Sequence, residues 1–133
     1  MARTPQEEAN VQLIRDLFDK VLIPMDKTLV DDFIAKDYLQ HSSLAKPGRE
    51  ALKDWLDFVR RESPQATQKI YRIVAEEDHV VTHQHVVRWP GDPGFAVCDI
   101  FRIENGKIVE HWDVLQEIPE KPVNPNSMFE DGV

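Results

Sequence analysis

The hydrophobic period changes once along the chain, near residue 67. Before that point apolar residues recur every three or four positions. Val11, Ile14, Phe18, Val21 and Leu22 form one such stripe, widened by Leu13 and Leu17, and predict an amphipathic helix. Thr4-Pro5-Gln6-Glu7 supplies its start, with Thr4 as N-cap, Pro5 at the first helical position and Glu7 closing a capping box; Pro24 ends it. A short second helix is predicted near Asp26 to Thr28, with Val30, Phe33 and Ile34 inward. Tyr38-Leu39-Gln40-His41 reads as extended. Leu52, Trp55, Leu56 and Val59 predict a third helix over residues 49–61, between the Lys46-Pro47-Gly48 turn and Ser63-Pro64.

From Thr67 the period is two. Residues 68–75 and 80–89 read as strands joined by a turn at Glu76-Glu77-Asp78-His79, and Pro90 to Gly94 is a loop with strong turn chemistry. Two further apolar runs, 95–103 and 108–118, flank Glu104-Asn105-Gly106-Lys107, whose Asn-Gly pair is the strongest short-range hairpin signal. Helices first and antiparallel strands after predict an α+β fold, with helices covering one face of a curved sheet. The prolines at 119, 122 and 125 predict that residues 119–133 are an irregular tail, which Met128 and Phe129 could pin to the body or to a partner.

Length and composition narrow the class. With 133 residues, 41% hydrophobic and 30% charged, the chain reads as one globular domain spanning 1–133. A net charge of −8 disfavours nucleic acid and anionic membranes as partners. The single cysteine, Cys98, allows no internal disulfide and fits a reducing cytoplasm. The N-terminus has no apolar signal region, and no apolar run approaches membrane-spanning length.

The polar residues on apolar faces carry the chemistry. Phe95, Val97, Asp99, Phe101 and Ile103 alternate onto one face, where an ionisable group needs a partner or a task. A two-residue loop at Asn105-Gly106 pairs Ile103 with Ile108 and sets Asp99 opposite Trp112. A three-residue loop slips the register by one and sets Asp99 opposite His111 and Val97 opposite Asp113. A one-residue slip exchanges the two faces, and the residues alone leave both open. In 80–89, Val81, His83, His85 and Val87 share a face, taken as inner because Gln84 and Arg88 suit solvent. With the slipped hairpin and His41, the candidate set is His41, His83, His85, Asp99, His111 and Asp113. Such a set suits proton transfer, with an aspartic acid as acid and a neutral histidine as acceptor. A metal is the alternative, with His83 and His85 on one strand and His111 and Asp113 on the next ligating zinc or iron; no other cofactor is expected. There is no nucleophile-elbow serine or cysteine and no glycine-rich phosphate loop.

Tyr38-Leu-Gln-His41, Gly48-Arg-Glu50 and the run from Asp99 to Asp113 resemble the SnoaL-like proteins of the nuclear-transport-factor-two-like superfamily, which includes polyketide cyclases, limonene epoxide hydrolase and ketosteroid isomerase. The match is closest to a branch of predicted aldol-condensation enzymes. The resemblance implies a cone: a strongly curved antiparallel sheet wrapped around three N-terminal helices, enclosing a deep apolar pocket, often as a homodimer. It matches Asp99 to a pocket aspartic acid, puts His111, Asp113 and Leu115 on the pocket face, and so favours the slipped hairpin, with His83 and His85 inside. It also marks departures. His41 stands where the isomerase has its base, Leu17 and Phe18 stand nearest its oxyanion tyrosine, and no inner arginine matches the epoxide hydrolase.

The expectation is an enzyme doing acid/base chemistry (isomerisation, aldol-type cyclisation or hydration) on a small, largely apolar carbonyl compound. His41 or Asp99 moves the proton, His83, His85 and His111 orient the substrate or stabilise an oxyanion, and Asp113 fixes a histidine tautomer. Phe18, Phe33, Tyr38, Trp55, Val87, Val97, Phe101 and Leu115 form the walls. The rivals are a non-catalytic binding or assembly module and a metal-dependent enzyme. A cupin is disfavoured by the helical N-terminal half and the missing glycine framework.

Overall fold

Helix α1 (Pro5–Leu17) starts at the expected capping box. Thr4 Oγ1 accepts from the Glu7 N–H at 3.1 Å, and Glu7 Oε1 accepts from the Thr4 N–H at 2.8 Å. The structure is a computed structural model and describes residues 2–130. The helix does not run on regularly to Pro24. Its last turn, Phe18–Leu22, widens into a π-helix in which the Ile23 N–H donates to Phe18 O at 2.8 Å. The wider turn brings Leu17, Phe18 and Val21 all to 1% exposure or less, which a strict 3.6-residue period would spread over more of the helix surface.

Asp26 caps a 3₁₀ turn, Lys27–Leu29, that leads into α2 (Val30–Phe33). Ile34, expected inside that helix, instead opens strand β1 (Ile34–Gln40), so the extended segment begins earlier than Tyr38. Helix α3 (Arg49–Glu62) follows, with Leu56 and Val59 buried and Trp55 half exposed. Then come β2 (Thr67–Glu76), β3 (His79–Val87), β4 (Phe95–Glu104) and β5 (Lys107–Glu117). The sheet order is β1-β5-β4-β3-β2. The four C-terminal strands pair antiparallel, and β1 adds to β5 in parallel at the edge. This is the α+β architecture expected, three helices against one curved sheet of five strands. The core joins Ile14, Phe18 and Val21 to Phe33 and Tyr38, and to Val80, Phe101 and Ile108 of the sheet. Among the described residues no helix is long and apolar enough to cross a membrane.

The hairpin takes neither expected register. Asn105 and Gly106 have φ of +52° and +72°, which suits a two-residue type I′ loop, and Ile103 pairs with Ile108. Val109 is then an extra residue, because Arg102 already pairs with Glu110. This bulge sets Phe101 opposite His111, Asp99 opposite Asp113 and Val97 opposite Leu115. The slip exists, but it lies in the strand rather than the loop and runs the other way. Asp99, His111 and Asp113 share the inner face as expected; the residue opposite Asp99 is Asp113, not His111.

The face assignment of β3 is inverted. Val80, Thr82 and Gln84 are 0%, 0% and 3% exposed and point to the helices, whereas Val81, His83 and His85 are only partly covered. After β5, residues 118–130 form no helix or strand, and residues 131–133 of the expected tail lie outside the described residues. Phe129 is 7% exposed and stacks on Tyr71, His83 and His85 of the outer face. Gly94 (φ +83°) closes the β3–β4 loop over β3, where a Cβ would stand 2.2 Å from Val86 O.

Candidate functional site

A line of hydrogen-bonded polar groups crosses the inner face from β1 to β3. Thr82, Asp99 and Asp113 form one cross-strand row, and His111 is one step diagonal to Asp99, within reach on a twisted sheet. His111 Nε2 lies 2.8 Å from Asp99 Oδ1, with the two side chains 15% and 11% exposed. Asp99 Oδ2 accepts a short hydrogen bond from Gln84 Nε2, and Thr82 Oγ1 donates to Gln84 Oε1 at 3.2 Å. On the other side, His111 Nδ1 lies 2.7 Å from Gln40 Oε1.

The network fixes a proton count. The Ser42 N–H can only donate, and it bonds Gln40 Oε1 at 3.0 Å. The amide orientation of Gln40 follows, so His111 Nδ1 must carry a hydrogen to meet the same oxygen. The contact between Nε2 and Asp99 Oδ1 then holds one further proton, on the imidazole or on the carboxyl. Gln40 Nε2 donates to the Tyr38 hydroxyl at 3.3 Å, and burial holds that phenol above its usual range, so it stays neutral. Asp113 has no hydrogen bond or ion pair among the described residues, although it stands opposite Asp99. Single ligand atoms of Asp99, His111 and Asp113 lie within 4.8 Å of one another. The cluster can therefore shuttle a proton, and its geometry also suits a small divalent cation: the far nitrogen of His111 and the far oxygen of Asp99 are already held by outer partners.

The other predicted residues stand elsewhere. His41 follows Gln40 on β1, so alternation turns it to the outer face. It bonds Glu110 Oε2 at 2.7 Å and stacks on Trp112 at 4.9 Å. The hydrogen bond from Arg102, and then that from His41, hold the Glu110 carboxyl below its usual range. His83 Nδ1 accepts from Arg72 at 3.0 Å, and His85 Nε2 donates to Pro93 O at 2.7 Å. With both on the outer face, the expected metal set of His83, His85, His111 and Asp113 is split by the thickness of the sheet. Phe18, Phe33, Tyr38, Val97 and Phe101 are packed core rather than walls of an open pocket. Val87 shares the face of His83 and His85, and Leu115, 37% exposed, is beside the cluster.

Sequence reasoning missed Thr82, Gln84, Gln40 and Ser42, neutral polar residues that strand patterning assigns to solvent. Their signal was parity: Gln84 and Thr82 alternate with the two histidines, so one pair or the other had to be inside. Two cavities lie between the helices and the sheet. A cavity of about 100 Å³ lies between α3, the π turn and Val86, the next inner residue of β3 after Gln84. A second, of about 260 Å³, is lined by Arg15, Asp19, Ile23, Gln68, Lys69 and Ile70. Neither is lined by Asp99, His111 or Asp113.

The sequence profile of the SnoaL-like domain matches residues 14–111. Among solved structures, wild-type IdmH of Streptomyces antibioticus, a proposed polyketide cyclase, is 21% identical, with a TM-score of 0.67 over 80% of this chain and 91% of its own. A proposed SnoaL-like polyketide cyclase of Jannaschia sp. CCS1 is 15% identical, with a TM-score of 0.72 over 86% and 90%. AclR of Streptomyces galilaeus, a proposed hydroxylase, is 18% identical, with a TM-score of 0.70 over 88% and 91%. Among curated proteins none matches.

Proposed function

The chain belongs to the SnoaL-like domain family, and on that premise we propose that it is an enzyme whose Asp99–His111 pair moves a proton on a small, largely apolar carbonyl compound. The observation that carries the reading is the proton count at the 2.8 Å contact between Asp99 and His111. With that proton on the imidazole, Asp99 is a carboxylate held by Gln84 and His111. It takes the proton from the carbon beside the substrate carbonyl, leaving an enolate, and the protonated carboxyl then returns it. Return to another carbon is an isomerisation; attack of the enolate on a second carbonyl, with the proton going to the new alkoxide, is an aldol-type cyclisation. Asp113 and Leu115 mark the open side from which a substrate approaches. His41, His83 and His85 have no part in this step. The cyclases and the hydroxylase among the structural relatives support small-molecule chemistry of this kind.

The proposal includes a homodimer through the outer sheet face, where Val74, Val81, Ile100 and Trp112 form one row across four strands. It also includes a cytoplasmic location, consistent with the single unpaired Cys98.

The test needs no prior substrate. Apolar cyclic ketones and 1,3-dicarbonyl compounds in D2O exchange their α-hydrogens when a base enolises them, and NMR counts the loss. The protein should accelerate exchange, and Asp99→Asn should cut the acceleration at least ~100-fold while remaining folded by circular dichroism. Unchanged exchange in that variant would sink the reading. The second reading, a divalent cation on Asp99, His111 and Asp113, is favoured by the convergence of their ligand atoms. It requires exchange to stop in excess chelator and return with zinc.

A further inference from the structure

Arg88 is the inner arginine that the sequence did not reveal. It lines the cavity of about 100 Å³, whose other lining residues are apolar except Gln68. Its Nε donates to Ser63 Oγ at 3.0 Å, and Ser63 is 2% exposed. The guanidinium sits 4.6 Å from the Trp89 ring centroid, 5.4 Å from Trp55 and 6.0 Å from Phe58. Among the described residues no carboxylate is within ion-pair distance of it, and its two terminal nitrogens carry no hydrogen bond. That is unusual in a chain with 24 acidic and 16 basic residues. A buried hydroxyl orients this one, and aromatic rings hold it flat.

The surroundings supply the other half of a recognition site. Trp55, Phe58, Trp89 and Ile23 are 49%, 41%, 51% and 40% exposed and gather at the cavity mouth. Large apolar groups left in contact with water side by side mark a binding surface more often than scattered ones do. An apolar slot with one oriented, unpaired guanidinium fits a molecule with an apolar body and one anionic end. A carboxylate is the simplest such end, because its two oxygens match the two free nitrogens of the fork.

We propose that this cavity binds apolar monocarboxylates, with the carboxylate on Arg88 and the chain between Leu22, Met25, Leu56 and Val59. The binding site stands on its own geometry. Its extension to the substrate rests on the Asp99–His111 reading: Arg88 follows Gln84 by four residues, ~13 Å along an extended strand. An elongated substrate would then hold its anion at Arg88 and present its carbonyl toward Asp99.

Octanoate and octanol are the probes, and the three tryptophan indole N–H signals are the reporters in two-dimensional NMR titrations. Octanoate should move Trp55 and Trp89 and leave Trp112, which lies on the outer face, in place. It should bind about tenfold tighter than octanol, the scale of one charge-assisted contact. In Arg88→Gln the two should bind equally, while Arg88→Lys, which keeps the charge, should retain part of the preference. An unshifted Trp112 signal reports that each variant is folded. Equal binding of the two probes to the natural protein, or an unchanged ratio in Arg88→Gln, would overturn the assignment, as would shifts confined to Trp112. Asp99→Asn should bind octanoate as the natural protein does. Selective octanoate binding by a natural protein that does not accelerate α-exchange therefore fails the catalytic reading alone, and accelerated α-exchange without selective octanoate binding fails this one alone.

Discussion

Asp99 and Asp113 face each other across β4 and β5, and like charges directly opposite on a ladder destabilise it. A natural chain keeps such a pair for a reason other than stability. Asp113→Asn should therefore raise stability, by about 0.5–1 kcal/mol in urea unfolding, and slow α-exchange less than Asp99→Asn does. A loss of stability would mean that Asp113 is held by an attraction the fold does not display. The neighbours of the pair act at one remove. The Ser42 backbone N–H fixes Gln40, Gln40 fixes the tautomer of His111, and His111 meets Asp99, so one backbone N–H and three side chains decide where one proton rests. Of these residues only the ionisable ones were legible in the sequence. Asp99 stood out as a charge on an apolar face, and His111 and Asp113 followed from parity along β5. Gln40, Thr82 and Gln84 carry no charge to make their burial conspicuous, and amides and hydroxyls occur as often on wet faces as inside a satisfied network.

At the scale of elements, one residue ties the first helix to a hairpin. Glu7 closes the capping box of α1, and its Oε2 also accepts from the Glu77 N–H at 2.8 Å. Glu77 stands at φ +53° in the β2–β3 turn, a strained position for a residue with a side chain, and Asn10 Nδ2 holds its carbonyl at 3.3 Å. The Thr4 backbone N–H, then that of Glu77, hold the Glu7 carboxyl below its ordinary value of 4.5. A carboxyl depressed on folding stabilises above its unfolded pKa and ceases to as pH falls through the folded value. Glu7→Gln should accordingly unfold at lower urea than the natural protein at pH 7, and the gap should close as the pH falls below about 4.5. A gap that does not narrow at all as the pH falls would assign the effect to shape rather than charge. The cap of α1 was readable because its partners are three residues apart. The bulge at Val109 was not, because an inserted strand residue leaves no mark on composition. The faces of β3 were misread because both are half apolar: the outer one carries Val81 and Val87 and is partly roofed by the tail.

Over the whole molecule, the sheet has two working faces. The inner one holds the core, the proton-sharing cluster and the Arg88 cavity. The outer one carries His41, His79 and Trp112 at one end and the Phe129 anchor at the other. Full burial of a phenylalanine is worth ~1.5–3 kcal/mol, and ordering the tail offsets part of it, so Phe129→Ala should cost about 1–2 kcal/mol in urea unfolding. It should also expose residues 119–128 to proteolysis and shift the ring signals of His83 and His85. Unchanged cleavage would mean that the tail is held by contacts other than this ring. The parallel edge has a consequence for how the molecule is made. Gln40 and His111 are 71 positions apart, and β1 has no strand partner until β5, the last strand, is in place. Contacts of such long sequence separation form late and slowly. On a ribosome β1 waits as an open edge, and the hydrogen-bonded line from Gln40 through His111 to Asp99 forms only when the final strand is released. A chain stopped before residue 107 would carry Asp99 without His111, Asp113 or the core residue Ile108.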